Sequence, residues 1–368
     1  MSLVVAGRIA LSLALSTVAL VGCARFDDSA SSPFTPEPTF GPAEPKAPKQ
    51  DPAQRPRPTG PCIDPDPNVI TTCLDSTGGI ISLGEDALVA ERRTGRIYKT
   101  VPVNPSDPQS PPILMGQVDV DGSGDGGISD IALSPTYRED GLIYAYITTG
   151  SDNRVVRIAE HGQPKAILTG IPKGSVGNHG ALEFISPTEL LVLTGDAGNP
   201  GLASAPSSLA GKVLRINSPA PGANAEVVVS GLGTAGDLCD DGKDSVWITD
   251  RTPTEDRLQR LSRDGTVTTA WTWPDRPGVG GCAAGPDVVA IAMSGAKALA
   301  FANPDANTHA ITVAPTFTVQ DKYGRLGGAA ASPDGTVWAT TVNNDDNHGP
   351  FDDRVIKIPP QSQGTGPD

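Results

Sequence analysis

Six short β-rich runs recur along the chain, and their spacing restricts the possible fold more than any other feature. They are "DALVAERRTGRIYKT" (86–100), "GLIYAYITT" (141–149), "TELLVLTGD" (188–196), "DSVWITD" (244–250), "DVVAIAMSGAKALAF" (287–301) and "GTVWATTVN" (335–343). Their hydrophobic centres lie roughly 43 to 55 residues apart, the period of a four-stranded unit repeated around an axis. Turn sequences such as "SPT", "DDGKD" and "SPDG" precede several of them, where Pro and Gly supply the required dihedrals. No stretch sustains a 3.6-residue apolar period, and Gly 42 and Pro 36 against 4% aromatic residues suit many turns and short strands. The expected fold is all-β, a six-bladed β-propeller over residues 62–358. A pair of β-sandwiches is the alternative, but regular spacing over so long a segment favours radial repetition.

The N-terminus reads differently. "MSLVVAGRIALSLALSTVALVGC" carries one early Arg8 and an apolar run from Ile9 to Val21. That run is short for a membrane span and fits a secretory h-region. "LVGC" (Leu20–Cys23) resembles a bacterial lipobox, which implies a signal peptide over 1–22 and a lipid on Cys23. From 23 to 61, proline recurs every few residues and apolar residues are scarce. Such a segment cannot form a core and is expected to be a disordered tether. Residues 359–368 are expected to be a disordered tail. The resulting location is extracytoplasmic, anchored to the outer face of the plasma membrane.

Cys62, Cys73, Cys239 and Cys282 remain beyond the lipobox. An even number in an exported chain suggests two disulfides, and four cysteines permit three connectivities. Proximity favours Cys62–Cys73. Cys239 and Cys282 follow similar Gly-rich loops in successive blades, and are expected to start neighbouring inner strands within bridging reach.

A formal charge of −14 repels phosphate backbones, so nucleic acid is not an expected partner. "DVDGSGDGGISD" (119–130) satisfies GxGxxG through Gly122, Gly124 and Gly127, but its aspartates would repel a pyrophosphate and no βαβ unit follows. The same loop mimics an EF-hand. Asp119, Asp121, Ser123, Asp125 and Asp130 are candidate calcium ligands, with Gly124 at the turn. A solvated inter-blade loop is the plainer reading. His161, His309 and His348 are expected to be surface histidines, and no HExxH, Walker A or GxSxG pattern occurs.

Several segments together resemble the soluble quinoprotein glucose/sorbosone dehydrogenase family: "ISDIALSPTYREDGLIYAYITT" (128–149), "DNRVVRI" (152–158), "ILTGIP" (167–172), "LTGDAGN" (193–199) and "SLAGKVLRIN" (208–217). "WTWP" (271–274) and "SPDGTVWATT" (332–341) extend the likeness toward the C-terminus. The resemblance implies a six-bladed propeller in which a histidine removes a proton from a sugar hydroxyl and hydride passes to pyrroloquinoline quinone (PQQ). Aligned on Thr194-Gly195-Asp196, the family's catalytic histidine falls on Gly177, with His179 two residues late. In an extended strand that displaces the ring about 6–7 Å, whereas a general base must come within roughly 3 Å of its proton. By the same resemblance, the family's Arg-Asn pair that meets quinone and substrate falls on Gly233-Thr234, a quinone-contacting lysine on Ser294, and a late arginine pair on Arg325 and Gly327; of these only Arg325 is charged. Asp196 matches a family active-site acid.

The expectation is therefore a family scaffold that has lost its chemistry and binds a carbohydrate-like ligand or an envelope protein. The alternative is a PQQ-dependent sugar dehydrogenase with a rearranged site built on His179, Asp196 and Arg325.

Overall fold

The computed structural model describes residues 60–102, 109–159, 162–346 and 349–359. The leader, Cys23, the tether up to residue 59, the tail from residue 360, His161 and His348 lie outside the described residues. Among the described residues no helix is long and apolar enough to cross a membrane.

The chain first lays down a short strand, β1 (Val69–Thr71). Blade 1 follows as β2 (Thr77–Ser82), β3 (Ala87–Glu91), β4 (Arg96–Lys99) and β5 (Ile113–Gln117). Blade 2 is β6 (Ile128–Leu133), β7 (Ile143–Thr148), β8 (Asn153–Ile158) and β9 (Lys165–Ile171), with a one-turn helix α1 (Tyr137–Asp140) after β6. Blade 3 is β10 (Gly180–Ser186), β11 (Glu189–Thr194), β12 (Lys212–Asn217) and β13 (Glu226–Ser230), with α2 (Pro200–Ser204) between β11 and β12. Blade 4 is β14 (Ala235–Asp240), β15 (Ser245–Arg251), β16 (Asp256–Ser262) and β17 (Val267–Trp273). Blade 5 is β18 (Val279–Gly285), β19 (Val288–Met293), β20 (Ala298–Ala302) and β21 (Thr316–Thr318). Blade 6 holds β22 (Leu326–Ala331), β23 (Val337–Thr341) and β24 (Val355–Ile358), and takes β1 as its fourth, outermost strand. Val69 pairs with Ile356, so the N-terminal strand clasps the last blade and closes the ring. The six-bladed propeller expected from the spacing is the fold observed.

The apolar runs turn out to be the second strand of each blade rather than the innermost one. β3, β7 and β23 are buried at every position, because neighbouring blades cover both faces of a second strand. The innermost strands read "TGGIIS", "VGGCAAG" and "LGGAAA" in β2, β18 and β22. They converge on the axis, where bulk does not fit. A Cβ on Gly281 would lie 2.5 Å from Gly328 Cα, and one on Gly79 would lie 2.8 Å from Asp130 Cα.

The hydrophobic core is divided among the blade interfaces. One apolar cluster fills each of the six, for example Tyr144, Tyr146, Leu182, Leu190 and Leu214 between blades 2 and 3. Val89, Trp338 and Val355 pack where blade 6 meets blade 1. Tight turns supply the blade edges. In "SPDG" between β22 and β23, Gly335 takes φ 82° and the Asp334 carboxylate accepts from Thr336 N at 3.0 Å.

Both expected disulfides form: Cys62–Cys73, with Cα atoms 5.4 Å apart, and Cys239–Cys282, at 5.8 Å. The second joins the innermost strands of blades 4 and 5. Cys239 is the fifth residue of β14 and Cys282 the fourth of β18, so both lie within the strands rather than at their starts. Paired cysteines fit an extracytoplasmic protein.

Candidate functional site at the channel mouth

All six innermost strands enter the axial channel from the same end, and the loops around their starts enclose a cavity of about 260 Å³. Its wall includes His179, Asp125, Thr234, Ser294, Val342 and Asp345, together with three arginines, Arg92, Arg251 and Arg325.

His179 immediately precedes β10 and is half-buried at the mouth. Burial disfavours the charged imidazolium and pulls its pKa down to about 4, so the ring is neutral at pH 7. The preceding loop sets its position. The Asp125 carboxylate accepts from Gly177 N at 2.6 Å and Asn178 Nδ2 at 2.7 Å. The buried Asn178 in turn accepts from Gly174 N at 3.0 Å and Asn153 Nδ2 at 3.2 Å.

Gly177 sits at φ 76°, a conformation suited to glycine. A Cβ there would lie 2.6 Å from Asp196 Oδ1 and collide with Gly198 N. Asp196 is buried behind it and does not line the cavity. Its Oδ1 accepts from Gly198 N at 2.8 Å, while its buried Oδ2 has no hydrogen-bond partner. Burial raises its pKa. The loop carrying Asp196 is braced by Lys212, whose fully buried ammonium donates to the carbonyls of Leu202, Ala203 and Ala210. Lys212→Met removes all three of these hydrogen bonds, although Leu202 O and Ala203 O keep backbone donors in Ala205 N and Gly231 N, and is expected to cost about 2 kcal/mol, read as a shift in urea midpoint.

The EF-hand-like set does not converge. Asp121 is held by Lys173 Nζ at 2.5 Å and by Ser123, which keep its carboxyl well below the usual range. Asp125 faces Asn178, and Asp119 is exposed. Asp130 is a channel residue of β6 whose Oδ2 accepts from Leu182 N at 2.7 Å. The strand begins at Ile128, so the twelve residues are not one loop. Among the described residues no group of three or more His, Cys, Asp or Glu side chains is placed to hold a metal ion. His309, expected at the surface, is partly buried and lies 3.4 Å from Asp244.

Arg325 lines the mouth as expected, paired with Asp346. Arg92 and Arg251 are contributions that the sequence reading missed. Arg92 is 3% exposed, pairs with Asp345 at 2.6 Å and donates to Gly126 O at 2.7 Å. Arg251 ends β15 and donates to Val279 O, to Gly278 O at 2.9 Å and to Ser294 Oγ at 3.0 Å. The signal for both is blade register. When the second strands are superposed, Arg92, Arg251, Ser294 and Val342 occupy one equivalent position, at the mouth-facing end.

The six-bladed ring thus gathers polar side chains and three arginines around one cavity at the mouth of its axial channel. The profile of the family Glucose / Sorbosone dehydrogenase matches residues 76–232. The PQQ-bound aldose sugar dehydrogenase of Streptomyces coelicolor superposes with a TM-score of 0.69 at 28% identity, covering 78% of this chain and 95% of that one. The apo form of the soluble aldose sugar dehydrogenase of Escherichia coli superposes at 0.64 with 17% identity, over 79% and 98% of the two chains, a likeness of fold. No curated protein sequence matches. The resemblance read from the sequence is thus found: the chain is similar to the glucose/sorbosone dehydrogenase family.

Proposed function

We propose that this chain is a catalytically degenerate member of that scaffold class, lipid-anchored through Cys23 at the outer face of the plasma membrane. In this reading it is a binding module whose channel mouth takes a carbohydrate-like ligand or docks an envelope protein. The observation that carries the reading is backbone closure at the family's functional positions. By the resemblance, Gly177 takes the position of the family's catalytic histidine, and its Cβ site is filled by Asp196 and the backbone of Gly198. A Cβ on Gly233 would overlap Arg251 O, and one on Gly327 would lie 2.5 Å from Val342 Cγ1.

The donors at the mouth do not fit PQQ. The quinone is a tricarboxylate, and several cations are needed to replace its hydration. Here Arg92 is paired with Asp345 and Arg325 with Asp346. The hydroxyl of Ser294, which by the resemblance takes the place of a quinone-contacting lysine, is occupied by Arg251. Titrating PQQ with calcium into the purified full-length chain is expected to give no saturable change in quinone absorbance or melting temperature at high micromolar quinone.

One observation favours the second reading, a PQQ-dependent sugar dehydrogenase with a rearranged site: His179 lines the mouth in the neutral form that a general base requires. Saturable quinone binding, with sugar-dependent dye reduction abolished by His179→Ala in a folded protein, would establish it in place of the first. The anchor has its own test: acyl labelling of the full-length chain, lost in Cys23→Ala.

A further inference from the structure

Arg251 differs from the other cations of the mouth in having no acid. Its Nε and Nη2 donate only to neutral groups, namely two carbonyls and the Ser294 hydroxyl. No carboxylate among the described residues forms an ion pair with it, whereas Arg92 and Arg325 each have one. The charged side chains that reach it are Asp256, whose Oδ2 accepts from Gly278 N and Val279 N and whose buried Oδ1 has no hydrogen-bond partner, and two of like sign, Arg325 and Arg276. A guanidinium withdrawn from water is costly unless an anion answers it. In a chain of net charge −14 with carboxylates nearby, this arginine is left without one.

The rest of the wall indicates the remainder of the ligand. Asp125, Thr234, His179 and Asp345 offer hydroxyl-matching donors and acceptors, and Val342 is among few apolar side chains. At about 260 Å³ the cavity is at the small end for ligand sites. One compact, hydroxylated unit with one negative charge suits these features better than a flat aromatic polyanion.

We propose that the mouth binds a sugar bearing a single carboxylate, a hexuronate unit, with the carboxylate on Arg251. This rests on the reading of the chain as a binding module, and it names the ligand class of that same site. Among the described residues Nη1 makes no hydrogen bond, and it supplies the donor left for the ligand.

The test is calorimetric titration of the full-length chain with D-glucuronate, D-glucose and acetate. Glucuronate is expected to bind about 10- to 100-fold more tightly than either of the others, the range for gaining a charge-assisted bond. Arg251→Gln is expected to erase that preference. Arg251→Lys, which keeps the charge and tolerates the same carbonyls, retains part of it and controls for folding. Equal binding of glucose and glucuronate, or a preference that survives Arg251→Gln, overturns the carboxylate assignment and leaves the binding-module reading intact. Acetate binding as tightly as glucuronate overturns the sugar. Binding of none of the three at millimolar concentration overturns the proposal together with the carbohydrate arm of the proposed function.

Discussion

Between pH 6.5 and 8 the folded protein is expected to lose stability, by about 2 kcal/mol from Glu183 alone at 1.36 kcal/mol per unit. The cause lies in the far half of the channel, a cavity of about 360 Å³ lined by Asp130, Glu183, Asp237 and Asp240. Among the described residues the cation that answers this group is Arg263, paired with Asp240 at 2.6 Å. Burial, reinforced by Asp240 and Asp237, pushes Glu183 up to about 8. Burial likewise raises Asp237 to about 7, and raises Asp130, which faces it. The native state therefore keeps these protons to near neutrality or beyond, while the unfolded chain releases them near pH 4. The stabilisation is complete below the unfolded values and is lost as pH rises through the folded ones. Asp353, raised to about 7 behind the β23–β24 loop, adds to the same trend.

His179 acts in the opposite sense. Held neutral when folded, it favours the native state as pH rises from about 4 to 6.5 and contributes nothing further above that. His179 can offset only one of these acids, and only up to pH 6.5, so stability should already decline from about pH 5 and fall unopposed above pH 6.5. Melting temperatures across pH 5–9 test this, with Glu183→Gln as the control, since a glutamine has no proton to lose. The variant should flatten the decline above pH 6.5. A wild-type melting temperature that is level or rising from pH 6.5 to 8 would contradict the account.

How much of the molecule was legible depends on where each residue stands relative to the axis. "GLIYAYITT" and "GTVWATTVN" declared themselves because second strands are covered on both faces and must be apolar throughout. "LGGAAA" and "VGGCAAG" did not, because crowding at the axis selects small residues whose composition resembles a loop. β1 was invisible for another reason: three residues, Val69–Thr71, find their partner β24 at the far end of the sequence. Local pattern carries no trace of such a closure.

The site followed the same rule. His179 and Arg325 emerged from resemblance to a family, and both line the mouth. Asp196 emerged the same way, yet it is buried behind Gly177. Arg92 and Arg251 follow from no motif, since their roles depend on equivalent positions in different blades. The calcium reading failed because a contiguous template cannot anticipate that a strand starts within it. Asp130 then faces the channel while Asp121 faces Lys173.

The buried disulfide is expected to have the largest single effect on stability. Cys239–Cys282 closes a loop of 43 residues, for which chain entropy alone gives about 4 kcal/mol. Its position adds to its importance. Blades 4 and 5 meet through a cluster that includes both cysteines, Trp247 and Ile291, and the bridge lies inside it, with Cys239 5% and Cys282 4% exposed. Asp237 also spans this seam, accepting from Cys282 N at 2.7 Å. Losing the bridge therefore loosens the interface on which an uncharged Asp237 depends. The Cys239→Ala/Cys282→Ala double variant is expected to unfold about 3–4 kcal/mol more readily by urea titration. It should also bring the alkaline decline to lower temperature. Cys62–Cys73 contrasts with it: both cysteines are exposed, they precede or follow β1 rather than joining two blades, and their loop spans 11 residues. Mild reductant should open that bridge first, with the circular-dichroism spectrum unchanged and the second bridge intact by mass. If the Cys239/Cys282 double variant melts with the wild type, the seam between blades 4 and 5 is held by its packing and hydrogen bonds without the bridge.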